Sequence, residues 1–289
     1  MTNDQRPTTN DIHLPAGLYI VGTPIGNLSD MSPRAVETLR GADLIACEDT
    51  RVAGKLAAHY DIKTPRIAMH EHNEREVADD LVAKIAGGGP GGAGMAVACI
   101  SDSGMPAISD PGFRLIRAAR AANVPVFVVP GPTAAVSALV LSGFPTDRWT
   151  FCGFLPATDA ARDAALRNDN KIRHTIIYYE SPARITSTIS ALAKIMPERR
   201  IAIVREITKI HEETIIGYPA ELINIEPPRG EIVLVIEPAP DMKMSDDQIN
   251  EIVRDVVANA SGTKSAAAEV AARTGLSKSA AYEKVLKKG

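Results

Sequence analysis

The sequence predicts an α/β protein built from two successive α/β domains and closed by a small helical one. Three observations carry that prediction. Short apolar runs rich in Val and Ile alternate with amphipathic helical stretches from Gly17 to Ile236. An aromatic-rich segment, 142–156, interrupts the alternation. After Pro238-Ala-Pro240 the pattern becomes purely helical. The expected limits are a polar tail over 1–14, domains over 15–148 and 149–240, and a helical domain over 241–289.

Composition narrows the class. The chain has 289 residues, 45% of them hydrophobic and 23% charged, enough to bury a substantial core. A formal net charge of −3 excludes a uniformly basic nucleic-acid coat and leaves room for a local patch. The three cysteines, Cys47, Cys99 and Cys152, are far apart and odd in number, which points to reduced thiols, no zinc site and a cytoplasmic setting. No signal peptide and no apolar run long enough to span a membrane is apparent. The opening residues, 1–11, are polar and are expected to be mobile.

In chain order, Gly17–Val21 reads as a first strand, followed by the Gly/Pro turn Gly22-Thr-Pro-Ile-Gly-Asn-Leu28. Ser32 caps the next helix, with Pro33 in its first turn and Gly41 at its end. Leu44–Cys47 is a second strand delivering Glu48, Asp49, Thr50 and Arg51; 66–69 is a third, delivering His70, Glu71 and His72. The two histidines find no further ligands at a useful spacing, so no metal is assigned. Asn73-Glu-Arg-Glu76 has the form of a capping box, and the glycine-rich stretch 87–94, lying before a strand, reads as a flexible linker.

The apolar run 95–100 is a buried strand, and the small-residue segment Ser101–Gly112 after it reads as the floor of a ligand site. Asp110 is the expected N-cap of the following helix, with Pro111 at its first position. Pro125–Val129 then leads into Pro130-Gly-Pro-Thr-Ala134, where Gly131, Thr133 and Ala134 present backbone N–H groups and a hydroxyl at a helix start. Three such turns, after Val21, Ile100 and Val129, imply one pocket lined by three strand ends. Neither a dinucleotide fingerprint nor a nucleotide P-loop is present.

In the second domain, strands are expected over 175–179, 201–204, 214–217 and 231–236. Helices are expected over 162–167, 183–196 and 220–223. Polar groups collect again at strand ends: Glu180, Ser181 and Arg184, then Arg205, Glu206, Lys209 and His211–Glu213. Beyond Ser245 a helix over 246–257 precedes a helix, glycine turn and capped helix over 264–287, the outline of a helix-turn-helix. From Thr263 onward six basic residues face two acidic ones, a local charge of +4 that marks a nucleic-acid footprint.

Several segments together resemble the ribosomal RNA small subunit methyltransferase I family: Val21–Leu28, Ala46–Arg51, Ser101–Gly112, Val129–Ala134, Tyr178–Pro182 and Arg205–Glu213. The resemblance implies a fold of tetrapyrrole-methylase (class III methyltransferase) type, with S-adenosyl-L-methionine between the two α/β domains and a homodimeric assembly. It implies 2′-O-methylation of cytidine 1402 in the decoding centre of 16S ribosomal RNA, with the assembled small subunit as partner. By the same resemblance, donor contacts fall on Gly22, Pro24, Gly26, Ser101, Asp102, Ser103, Gly104, Gly131, Thr133 and Ala134. A ribose hydroxyl is a poor nucleophile, so a base or a cation beside the developing alkoxide is needed; Glu206, Lys209, Glu180 and Arg51 are the candidates. Lys264, Arg273, Lys278 and Lys284 are the expected RNA contacts. The chain departs from the family at Thr158, Asp159 and Ala160, where lysines are usual, and at Ala183, where a histidine is. Two rival readings share parts of the sequence: a methyltransferase of the same fold acting on a tetrapyrrole, and a non-enzymatic helix-turn-helix regulator.

Overall fold

The computed structural model describes residues 14–88, 92–226, 228–240, 246–260 and 262–287. The expected tail over 1–11 and the middle of the expected linker, 89–91, lie outside them. The chain divides into two compact units, 1–239 and 240–289.

The first unit holds two five-stranded sheets. The first sheet is parallel, with β1 (Gly17–Val21), β2 (Leu44–Cys47), β3 (Arg66–Ala68), β4 (Ala96–Ile100) and β5 (Val126–Val129) in the order β3-β2-β4-β1-β5. Side chains alternate across a strand, so each face needs its own cover. Tyr19, Val21, Ile45 and Cys47 meet α1 (Pro33–Gly41) and α2 (Thr50–His59) on one face. Leu18, Ile20, Ala46 and Cys99 meet α3 (Glu74–Ala83) and α4 (Phe113–Ala121) on the other. Ser32 caps α1 as expected, its Oγ accepting from the Ala35 amide at 3.1 Å.

The helix after β5, α5 (Ala134–Ser142), does not return to this sheet. Its Ala135, Ala138 and Leu139 pack on Ile177, Ala202, Val204, Val233 and Val235 of the second sheet, tying the two sheets together through one apolar core. That sheet is mixed, in the order β6-β7-β10-β8-β9, from β6 (Trp149–Phe154), β7 (Thr175–Glu180), β8 (Ile201–Arg205), β9 (Glu213–Gly217) and β10 (Ile232–Ile236). Its outer face is covered by α6 (Asp159–Asp169), α7 (Ile185–Ile195) and α8 (Pro219–Leu222). The second unit packs α9 (Asp246–Asn259), α10 (Thr263–Thr274) and α11 (Lys278–Leu286) around Ile249, Val253, Val256, Val270 and Val285.

Three local expectations are corrected. The segment 142–156 is not only a junction: it contains the half-buried strand β6, whose pairing with β7 shifts register between Phe151 and Phe154. Asn73–Glu76 forms no capping box, because Asn73 accepts from the His70 amide and donates to the Ala68 carbonyl. Helix α4 starts at Phe113, not at Pro111; its N-cap is Gly112 at φ 127°. The carboxylate that caps α4 comes from elsewhere: Glu74 Oε1 accepts from the amides of Gly112 and Arg114, each at 2.9 Å. A cap supplied from 38 residues upstream leaves no local sequence signature.

Candidate active site

The adjacency of β4, β1 and β5 brings the three expected turns together. Thr23 and Gly104 exchange backbone hydrogen bonds of 2.9 and 3.2 Å, and the buried Thr23 hydroxyl reaches the Ser101 and Gly104 carbonyls. The Gly22 amide donates to the Val129 carbonyl at 2.9 Å. Gly104 has φ +80°, and a Cβ there would press on Ile25, so the loop can close on itself only as glycine.

Above these turns lies a cavity of about 600 Å³. One wall is Ser103, Gly104, Met105, Ile108, Asp110, Thr133 and Ala134; the other is Phe154, Tyr179, Glu180, Glu206, Lys209 and Glu231. Asp102, Pro24, Gly26 and Ser101 line an adjoining cavity of about 300 Å³, which shares Ser103, Lys209 and Glu231 with the first. Gly131 lines a third, with Pro130, Pro132 and Thr208. Gly22 lines none of these three; its place is structural, under Gly131. Arg51 stands apart as well: its side chain is 87% exposed and bound to Asp49 at 2.6 Å.

The far wall is built around Lys209. Its Nζ lies 2.9 Å from Glu206 Oε1 and 2.9 Å from Glu231 Oε2, and these partners keep the ammonium charged, its pKa moving up despite burial. Lys209 in turn holds the Glu206 carboxyl below the usual carboxylate range. The arrangement depends on close backbone approach: a Cβ on Gly26 would lie 2.7 Å from Lys209 Cγ, and one on Gly230 would collide with the Glu206 carboxylate. Glu206 and Thr208 sit at φ 50° and 69°, strained values for non-glycine residues. Glu180 is 3% exposed and committed to neighbours: the Ser181 amide at 2.8 Å, Arg184 Nε at 2.9 Å and the Thr188 hydroxyl at 2.8 Å.

The near wall offers a different chemistry. Thr133, the N-cap of α5, makes no side-chain capping bond; Thr133 and Ala134 line the cavity at the start of this nine-residue helix, and the Ala135 amide is engaged by the Tyr179 hydroxyl. Ile108 and Phe154 expose apolar surface, 46% and 56%, beside it. Tyr179 packs edge-on against both Phe151 and Phe154. Asp110 is pushed up to about 6 by burial, with Glu48 and Asp102 adding to the rise and Ser101 opposing it. Hydrogen-bond donors, apolar plates and carboxylates together suit a ligand that carries acceptors, an aromatic group and a positive centre.

Met105, Ile108 and Asp110 lie within the Ser101–Gly112 segment read from sequence as the floor of a ligand site but were not singled out there, and Phe154, Tyr179 and Glu231 were missed as lining residues. Tyr179 and Glu231 lie in or beside strands whose apolar pattern reads as core, and Asp110 was assigned to the α4 cap that Glu74 supplies.

In the second unit, two of the four expected RNA contacts are engaged: Arg273 with Asp255 at 2.9 Å and Glu269 at 3.6 Å, and Lys284 with Asp246 at 2.9 Å. Lys264 and Lys278 are exposed and make no ion pair among the described residues.

A family model described as Tetrapyrrole (Corrin/Porphyrin) Methylases matches residues 17–223, which sets the class. The fold agrees: the crystal structure of a diphthine synthase superposes with a TM-score of 0.60 at 11% identity, over 76% of this chain and 89% of that one. Two relatives are closer in sequence. The ribosomal RNA small subunit methyltransferase I of Haemophilus influenzae is 43% identical over 275 residues, 92% of this chain and 95% of the relative. That of Synechocystis is 40% identical over 277 residues, 92% and 96% respectively. The chain belongs to the tetrapyrrole methylase superfamily and, within it, to the ribosomal RNA small subunit methyltransferase I family.

Proposed function

We propose that the chain methylates small-subunit ribosomal RNA, and specifically the ribose 2′-hydroxyl of cytidine 1402 in 16S ribosomal RNA, with S-adenosylmethionine as donor. The single observation that carries this reading is the two-walled cavity: donor amides and apolar plates on one side, a carboxylate-bracketed ammonium on the other. S-adenosylmethionine supplies an electrophilic methyl group on a sulfonium, so the protein's task is mainly alignment.

In this reading the residues from 15–148 and from 149–240 act as two lobes around the donor. Ser101–Gly104, Thr133 and Ala134 hold it from the first sheet, with Pro24, Gly26 and Gly131 shaping the turns. The carboxylate of Asp102 favours its positive centre. Lys209, fixed by Glu206 and Glu231, is the cation for oxyanion charge developing on the ribose. Glu180 braces the β7–α7 turn through Arg184 and Thr188. Lys264 and Lys278 contact phosphates, with Arg273 and Lys284 spent on holding the helical unit together.

A second copy of the chain completes the assembly. Helix α5 is apolar all round, and the side turned from the second sheet leaves Val136, Val140 and Leu141 in solvent; edge strand β5 does the same with Phe127 and Val128. The assembled small subunit in the cytoplasm is the proposed partner. The test is label transfer from radioactive S-adenosylmethionine to small subunits lacking the modification, with a tetrapyrrole acceptor in parallel. Label in the RNA supports the reading; label in the tetrapyrrole alone overturns it.

A further inference from the structure

We propose that Asp110 is the catalytic base of the methyl transfer, its carboxylate taking the proton from the attacking ribose hydroxyl. The inference rests on the functional reading above and deepens it. In the step, the hydroxyl oxygen forms its bond to the methyl carbon as the carbon–sulfur bond breaks. The carbon–sulfur electron pair leaves with the neutral thioether, the O–H pair stays on oxygen, and the proton passes to the carboxylate and on to water.

Placement is the first argument. Asp110 lines the main cavity together with Thr133 and Ala134 of the donor wall and Glu206 and Lys209 of the opposite wall. It is also held there. Ala107 and Ser109 adopt φ of 69° and 64°, Gly112 adopts 127°, the Ala107 amide donates to the Pro111 carbonyl at 3.1 Å, and Glu74 clamps Gly112 from α3. A loop carrying this much strain is overdetermined by its surroundings, which is what a positioned base requires.

Elimination is the second argument. Lys209 is a charged donor between two carboxylates and has no lone pair to offer. Glu206 accepts from Lys209 and from the Glu231 amide, and its basicity is lowered by them. Glu231 is tied to the same ammonium and is 72% exposed. Glu180 is saturated by Ser181, Arg184 and Thr188. Asp102 accepts from the Asp49 amide at 3.2 Å and lines the adjoining cavity, not the main one. Arg51 lines neither.

Electrostatics agrees. Burial leads the rise of the Asp110 carboxyl to about 6, with Glu48 at the end of β2 and Asp102 at the end of β4 adding to it and the Ser101 hydroxyl opposing it. Burial raises Tyr179 of β7, the Ala135 amide opposes the rise, and the Asp110 charge adds to it. A carboxylate so tuned is ionised at neutral pH yet more basic than an ordinary aspartate, close to the optimum for a general base.

The test is Asp110→Asn, which keeps shape and removes the basic oxygen. Donor affinity and subunit affinity are measured by calorimetry and filter binding, single-turnover rate is measured from pH 5 to 9, and the carboxyl is titrated in the free wild-type protein by ¹³C NMR. The expected result is binding within about twofold of wild type and a rate about 100-fold lower. The wild-type rate should climb through a pH near 6 with the NMR titration, a limb the variant lacks, and Asp110→Glu should recover part of the rate. A variant that keeps its rate and its pH limb overturns the proposal, as does one that loses donor binding in proportion to rate. Failure of the underlying reading has another signature: the wild-type protein itself then leaves the ribose unmethylated.

Discussion

Gly22 and Gly131 are packed so closely that a Cβ on Gly22 would lie 2.6 Å from both the amide nitrogen and Cα of Gly131. The reverse substitution fares no better, with Gly22 Cα at 2.8 Å. This contact fixes the turn after β1 against the turn after β5, and through Thr23 it fixes the turn after β4. Gly131→Ala should therefore cost about 1–3 kcal/mol of stability by overpacking and weaken donor binding by at least about tenfold. Melting curves and calorimetry check this; a stable variant with unchanged donor affinity contradicts it.

Glu74 tests the cap supplied from α3. Because Glu74 Oε1 serves two amides of the α4 entry and the residue is 5% exposed, Glu74→Ala should cost about 1–2 kcal/mol, as lost N-caps do. Glu74→Gln keeps an acceptor and should lose less. The catalytic rate should fall with the Ala variant, since the loop carrying Asp110 ends at Gly112. Equal stability of the two variants would show that the cap carries no weight.

Lys209→Met removes the cation from between Glu206 and Glu231. The expected loss is about 10²–10³ in rate, the scale of removing one oxyanion donor, with donor affinity changed little. Lys209→Arg keeps the charge but not the point-like ammonium, and should be intermediate. Rapid-quench single turnovers with calorimetric donor binding separate the two effects; an undiminished rate in Lys209→Met excludes the residue from the step.

The helical unit, with its own core, should be separable. Deletion from Ser245 onward should leave donor binding within about twofold and weaken small-subunit binding steeply. Lys264→Ala with Lys278→Ala should flatten the salt dependence of subunit binding by about 1.5 in log–log slope, whereas Arg273→Ala should act mainly on the unit's stability. Filter binding across salt concentrations decides between them.

The parallel alternation and the three converging turns were legible in the sequence because each is written locally, as an apolar run followed by Gly, Pro and a capping residue. What was not legible depended on long-range pairing. The α4 cap comes from Glu74, 38 residues from Gly112, so the local Asp110-Pro111 signal pointed to the wrong start. The apolar helix α5 gave no sign of which sheet it would cover. Arg273 and Lys284 counted as free charge in sequence, and became ion-paired only once α9 folded beside them. Lys209 and Glu206 were recognised as polar groups at a strand end, but Glu231, which completes their triad, opens β10 from 22 residues away.

The measurement closest to the central claim is the chemical position of the methyl group. Small subunits lacking the modification are incubated with the protein and labelled S-adenosylmethionine, the RNA is digested with nucleases, and the labelled fragment is sequenced by mass spectrometry. The account predicts one methyl on the 2′-oxygen of cytidine 1402. A methyl on a base, at another ribose, or on no RNA at all while the donor remains bound would contradict it.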